Sequence, residues 1–117
     1  MIRNIVFDIG MVLVEWTPLE WLTKRYGPEK GKALWLATVE SPFWKKHIDL
    51  GYLTEEEIFD ASVAGSPELA GEIREIQGCW YEIFRPIPGT SQLAERLADA
   101  GFRLFYLSNF PREAFLY

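Results

Sequence analysis

Two short runs of β-branched and aromatic residues stand near opposite ends of the chain, RNIVFD at 3–8 and FRLFYLSN at 102–109. Both read as buried strands, and each ends on polar side chains. Directly before the second run, TSQLAERLADAG (90–101) has the spacing of an amphipathic helix, with Gly101 just past its end. Strand, long insertion, helix and strand in that order imply a βαβ crossover, and therefore two parallel strands. Their C-terminal ends, Asp8 and Ser108-Asn109, then emerge on one edge of the sheet, where open α/β sheets bind ligands. A lone aspartate after a strand is most often a turn former. An ionised carboxylate ending an apolar run is nevertheless costly unless something uses it.

The interval between the runs reads as helical. Thr17-Pro18-Leu19-Glu20 has the pattern of a capping box with proline at the first helical position, and Gly27-Pro28 ends that helix. A second helix is expected from about 29 to 40, and a short helical piece over 43–50. Thr54-Glu55-Glu56-Glu57 is a second capping box, with its acids in the first turn, where the helix dipole favours them. Ser66-Pro67 starts a helix expected to reach about Phe84, with Leu69, Ile73, Ile76 and Trp80 on one stripe. Arg85-Pro86-Ile87-Pro88-Gly89 is the clearest boundary in the chain. The aromatic residues crowd the helical interval and read mainly as packing, with Trp16, Phe43 and Trp44 as the candidates for lining a pocket.

Composition narrows the function. With 117 residues, 49% apolar and 25% charged, the chain has the balance of an ordinary globular domain. A formal net charge of −5 gives no basis for nucleic-acid binding, though one locally positive site could still take a small anion. The single cysteine, Cys79, excludes an intrachain disulfide and fits a reducing, cytoplasmic setting. No apolar run is long enough to span a membrane, and the start lacks the apolar core of a signal peptide.

Taken together, these residues resemble the haloacid dehalogenase (HAD) superfamily of hydrolases. Its first motif is an aspartate ending the first strand, in the pattern hhhhDxDxxxh, and here the stretch reads IVFDIGMVLV. Its second is a serine or threonine ending the next core strand, here LFYLSN. The family's helical cap commonly returns through a PxPG turn, similar to RPIPG, and the segment GYLTEEEIF resembles the cap of the bacterial sugar-phosphate phosphatase branch. The resemblance implies an α/β fold: a HAD-like Rossmannoid parallel sheet, of which residues 1–15 and 86–117 form the N-terminal part, with a helical cap inserted at 16–85. It implies a phosphomonoester hydrolase using Mg2+ and acting on a small phosphorylated metabolite, with no nucleic-acid or membrane partner. Asp8 would be the nucleophile and a metal ligand, and Gly10 would offer its carbonyl to the metal. Ser108, Asn109 and the backbone at Gly10 would contact the phosphoryl group.

Two departures from the family pattern shape the expectation. Position 10 is glycine where the usual second aspartate moves a proton, and Met11 stands where the sugar-phosphatase branch typically has asparagine. Leaving groups that need little protonation, such as an anomeric phosphate, would depend least on that missing acid. The lysine and the acidic pair of the later family motifs have no counterpart, since the last lysine is Lys46 and the only acid after Asn109 is Glu113. The expectation is a chain that is inactive by itself and prone to self-association through open sheet edges. The alternatives are a metal-independent 2-haloacid dehalogenase and a non-catalytic binding module.

Overall fold

The computed structural model describes residues 1–48 and 50–116. The chain is mixed α/β with helices in the majority, and it divides into two compact units. One comprises Met1–Trp16 and Phe84–Asn109; the other comprises Thr17–Ile83 and the segment from Phe110 onward.

In the first unit, β1 (Asn4–Phe7) lies parallel to β4 (Arg103–Tyr106), in the register Asn4↔Arg103 through Phe7↔Tyr106. Helix α5 (Pro88–Asp99) precedes β4 and packs on it. Alternation along the strands then sorts the side chains. Ile5, Phe7 and Leu104 share one face and are buried or half-buried, with the strand-end Tyr106 on that face exposed, while Ile2, Val6, Phe105 and Leu107 share the other and are exposed. A two-residue antiparallel ladder joins β2 (Val14–Glu15) to β3 (Arg85–Pro86), extended by the Ile87 N–H donating to the Leu13 carbonyl at 2.8 Å. Trp16 stacks on Phe84 at 4.8 Å between ring centroids. The proline-rich connector is therefore a strand partner of residues 14 and 15. The two units meet along the chain at 16/17 and 83/84.

The second unit contains α1 (Pro18–Tyr26), α2 (Pro28–Ala37), α3 (Glu55–Gly65), α4 (Ala70–Cys79) and the short α6 (Arg112–Leu116). A π-helical turn covers Trp44–Ile48; the expected helical piece at 43–50 crosses position 49, which lies outside the described residues. The core is Leu22, Leu34, Ile58, Phe59, Ile73, Ile76 and Trp80, with Trp44 edge-on to Trp80 at 5.0 Å and to Phe59 at 5.8 Å. Trp44 is thus buried packing, as the aromatic content suggested.

Helices α1 and α2 approach closely because position 31 has no side chain. A Cβ there would lie 2.8 Å from the Leu22 carbonyl carbon, the Leu22 oxygen and the Thr23 Cα. The long helix expected over 66–84 is split into a 3₁₀ turn (Pro67–Leu69), α4 and a second 3₁₀ turn (Trp80–Ile83), the tighter winding common at helix ends. The two capping boxes also differ. At Thr54 both halves form, with the Glu57 N–H donating to Thr54 Oγ1 at 3.3 Å and the Thr54 N–H donating to Glu57 Oε2 at 2.8 Å. Thr17 makes no side-chain cap bond, and the Glu20 carboxylate pairs with Lys24 one turn along at 2.6 Å. An exposed i,i+4 ion pair is the competitor that the sequence pattern overlooked.

Candidate active site

The parallel ladder sets the geometry at the C-terminal edge of the sheet. β1 stops at Phe7, and Asp8 is the first residue beyond it. The Leu107 N–H donates to the Phe7 carbonyl at 2.9 Å, so pairing continues up to the residue before Ser108. Two side chains a hundred positions apart in sequence are thereby brought together. The Ser108 hydroxyl comes near the Asp8 carboxylate, and its influence is the main cause that holds the Asp8 carboxyl below the usual carboxylate range. The Ile9 N–H adds to it by donating to Asp8 Oδ1 at 2.8 Å, while partial desolvation opposes both. Asp8 is exposed and ionised across the neutral range, and Ser108 is half-buried beside it.

The chain then folds back on itself at once. The N–H groups of Val12, Leu13 and Val14 all donate to the Ile9 carbonyl, at 3.2, 2.9 and 3.1 Å, and the Met11 N–H donates to the Val14 carbonyl at 2.7 Å. Met11 sits at φ 58, in the left-handed region. That conformation suits asparagine or glycine better than methionine. The Trp16 N–H meets the Met11 sulfur at 3.2 Å, a weak bond that ties the turn to β2.

This turn limits which N–H groups after Asp8 could face an anion. From Ile9 to Val14, five of the six are committed to the turn or to the Asp8 carboxylate. Among the described residues, the Gly10 N–H alone in this stretch donates to no acceptor. A Cβ at Gly10 would meet nothing within 4 Å, and its φ is not positive, so neither space nor backbone demands glycine there. Position 10 carries no side chain that could move a proton, although there is room for one.

Asn109 is exposed, one residue past Ser108, and among the described residues its side chain makes no hydrogen bond. It is at the same strand end but is not tied to the Asp8–Ser108 pair. For a divalent cation, the chain offers the Asp8 carboxylate and the Gly10 carbonyl, both hard oxygen donors. Mg2+ is commonly held by one or two carboxylates with water and phosphate oxygens completing the octahedron, and this pair fits the protein share of such a set at its smallest. Among the described residues no group of three acidic, histidine or cysteine side chains joins it.

The sequence pattern left one cavity unremarked. In the helical unit, a pocket of about 460 Å³ is formed by the loop from Ile48 to Glu57 and the stretch Phe110–Arg112. Its only advance sign was glycine at position 51, which takes φ 70 and turns the loop. Among the described residues no helix is long and apolar enough to cross a membrane.

No family model matches the chain, and no curated protein matches it.

Proposed function

We propose that the α/β unit is the N-terminal part of a HAD-like Rossmannoid core and carries the nucleophilic half of a phosphomonoester hydrolase site. The observation that carries this reading is the placement of Asp8 and Ser108 just past the ends of two paired parallel strands. An ionised, exposed carboxylate with a hydroxyl donor beside it has the two functions that phosphoryl transfer to an aspartate needs.

In the proposed reaction an Asp8 carboxylate oxygen attacks phosphorus of a small phosphorylated metabolite. A new P–O bond to Asp8 forms as the bond to the leaving oxygen breaks. The Ser108 hydroxyl and the Gly10 N–H donate to the phosphoryl oxygens, and Asn109 orients the substrate. Asp8 and the Gly10 carbonyl would hold Mg2+, which would supply positive charge to offset the repulsion between carboxylate and phosphate. Since Gly10 offers no acid, the leaving oxygen takes its proton from solvent. Water then cleaves the aspartyl-phosphate, restoring Asp8 and releasing inorganic phosphate. Leaving groups of low basicity, such as anomeric hydroxyls, suit a site of this kind.

The steps that the family assigns to a lysine have no candidate after Lys46, so binding is a better first readout than turnover. Beryllofluoride mimics a phosphoryl group on aspartate. With Mg2+ present, it is expected to give a bound fluorine NMR signal on the 117-residue chain that Asp8→Asn abolishes. A signal that survives Asp8→Asn, or none at any Mg2+ concentration, refutes the reading. A bound signal that persists in a chelator would transfer support to the metal-independent dehalogenase alternative.

A further inference from the structure

The pocket in the helical unit has a charge pattern that selects a ligand class. Its walls are apolar at Ile48, Leu50, Leu53 and Phe110, with Glu55 and Arg112 among the lining residues. Those two side chains carry opposite charges, yet no ion pair joins them, and among the described residues Arg112 pairs with no carboxylate. Glu55 accepts a hydrogen bond from the Tyr81 hydroxyl through Oε2, which leaves Oε1 as a further acceptor. Glu57 also faces this space, but its Oε2 is engaged by both the N–H and the hydroxyl of Thr54. A volume of about 460 Å³ falls in the range of small-molecule sites, which combine mostly apolar walls with a few placed polar groups.

We propose that this pocket binds a small zwitterion, an α-amino acid with an apolar side chain. Arg112 takes the carboxylate as a planar two-pronged donor. Glu55 takes the ammonium, and the side chain lies on Ile48, Leu50, Leu53 and Phe110. A ligand bearing one charge satisfies only one of the two wall groups and leaves the other beside an apolar body. Both charges together match the wall without adding net charge. The site is independent of the Asp8–Ser108 pair and holds whether or not that pair transfers phosphate.

The test is an amide-resolved NMR titration of the 117-residue chain with L-phenylalanine and L-leucine, beside phenylacetate, which lacks the ammonium, and phenethylamine, which lacks the carboxylate. Saturable shifts are expected within residues 48–57 and 110–112 for both amino acids. Each one-charge analogue is expected to bind about tenfold more weakly than phenylalanine or worse, the effect of one lost charge-assisted contact. Arg112→Gln is expected to weaken phenylalanine to the level of phenethylamine while leaving phenethylamine itself unchanged. Absence of saturation by about 10 mM phenylalanine overturns the proposal, since that concentration exceeds the Kd of even weak specific sites. Phenylacetate or phenethylamine binding as tightly as phenylalanine overturns it too, as does an Arg112→Gln variant that weakens all the ligands equally.

Discussion

Gly31→Ala and Gly78→Ala are the same chemical change on two helices of one unit, and the structure assigns them opposite signs. In a helix interior alanine is favoured over glycine by about 0.8–1 kcal/mol. At Gly78, in α4, the added methyl meets nothing within 4 Å, so most of that gain is retained. At Gly31 the same methyl would lie 2.8 Å from three backbone atoms of Leu22 and Thr23, none of which can rotate away. Leu22 is 1% exposed, so α1 cannot retreat without opening core contacts. Overpacking of this kind costs about 1–3 kcal/mol, and rigid backbone neighbours place it toward the upper end. After the helix-propensity gain is subtracted, Gly31→Ala is expected to lose about 1–2 kcal/mol, while Gly78→Ala gains about 0.5–1. For a chain of this length that is a fall of about 3–8 °C in Tm against a rise of about 2–4 °C. Urea titrations followed by far-ultraviolet circular dichroism and by tryptophan fluorescence would report both, with an unchanged denaturant slope showing that stability itself had moved. A Gly31→Ala protein as stable as the parent would refute the close α1–α2 approach.

Four further outcomes follow from the site and its surroundings. Ser108→Ala removes the largest influence lowering the Asp8 pKa, so a carboxyl-carbon NMR titration should show it move up toward the ordinary aspartate value; an unmoved titration would deny that Ser108 acts on Asp8. Thr54→Ala should cost about 1 kcal/mol of stability. Because Thr54 holds the Glu57 carboxyl below its usual range, that contribution is complete above the unfolded value and fades as pH falls through the folded one, so the penalty seen in chemical denaturation should shrink in acid. Met11→Asn should stabilise by about 0.5–1 kcal/mol by relieving the left-handed backbone, net of the lost sulfur contact, and thermal unfolding checks it. Gly10→Asp should leave stability within about 0.5 kcal/mol, since its Cβ has open space, and should speed any measurable phosphate release most for the poorest leaving groups.

The parallel pairing of the two terminal runs was legible because apolar runs, an amphipathic helix and chain order leave few topologies open. Register was not: Phe7 pairs with Tyr106, so Asp8 and Ser108 follow their strands one residue out of step, which the polar ends do not announce. The turn after Asp8 was not legible. Three N–H groups converging on the Ile9 carbonyl depend on backbone angles that no side chain in IGMVLV announces, and methionine is an unusual occupant of the left-handed region. The β2–β3 ladder was hidden because Pro86 reads as a breaker, whereas a two-residue ladder can accept a residue without an N–H. The unformed capping bond of Thr17 was missed for another reason: the pattern says which side chains could cap, not which do, and the Glu20 it pairs in sequence also meets Lys24 one turn along.

The two faces of the sheet differ in what supports the site. Sheets made only of parallel strands are normally covered on both sides. Here α5 packs on β4, while Val6, Phe105 and Leu107 remain 57%, 47% and 77% exposed on the opposite face. The separation of Asp8 and Ser108 is therefore fixed mainly by the ladder's own backbone hydrogen bonds, each contributing only about 1 kcal/mol net when water can replace it. Few buried apolar contacts and solvent-accessible backbone bonds mark a region that opens locally well before the whole fold does. By contrast, Leu34, Ile58, Phe59 and Ile73 in the helical unit are fully buried. An anion held jointly by the two strand ends would thus order the ladder as it binds, and its affinity would be reduced by the cost of that ordering. Covering the bare face should then tighten anion binding at Asp8 and Ser108 without touching either residue.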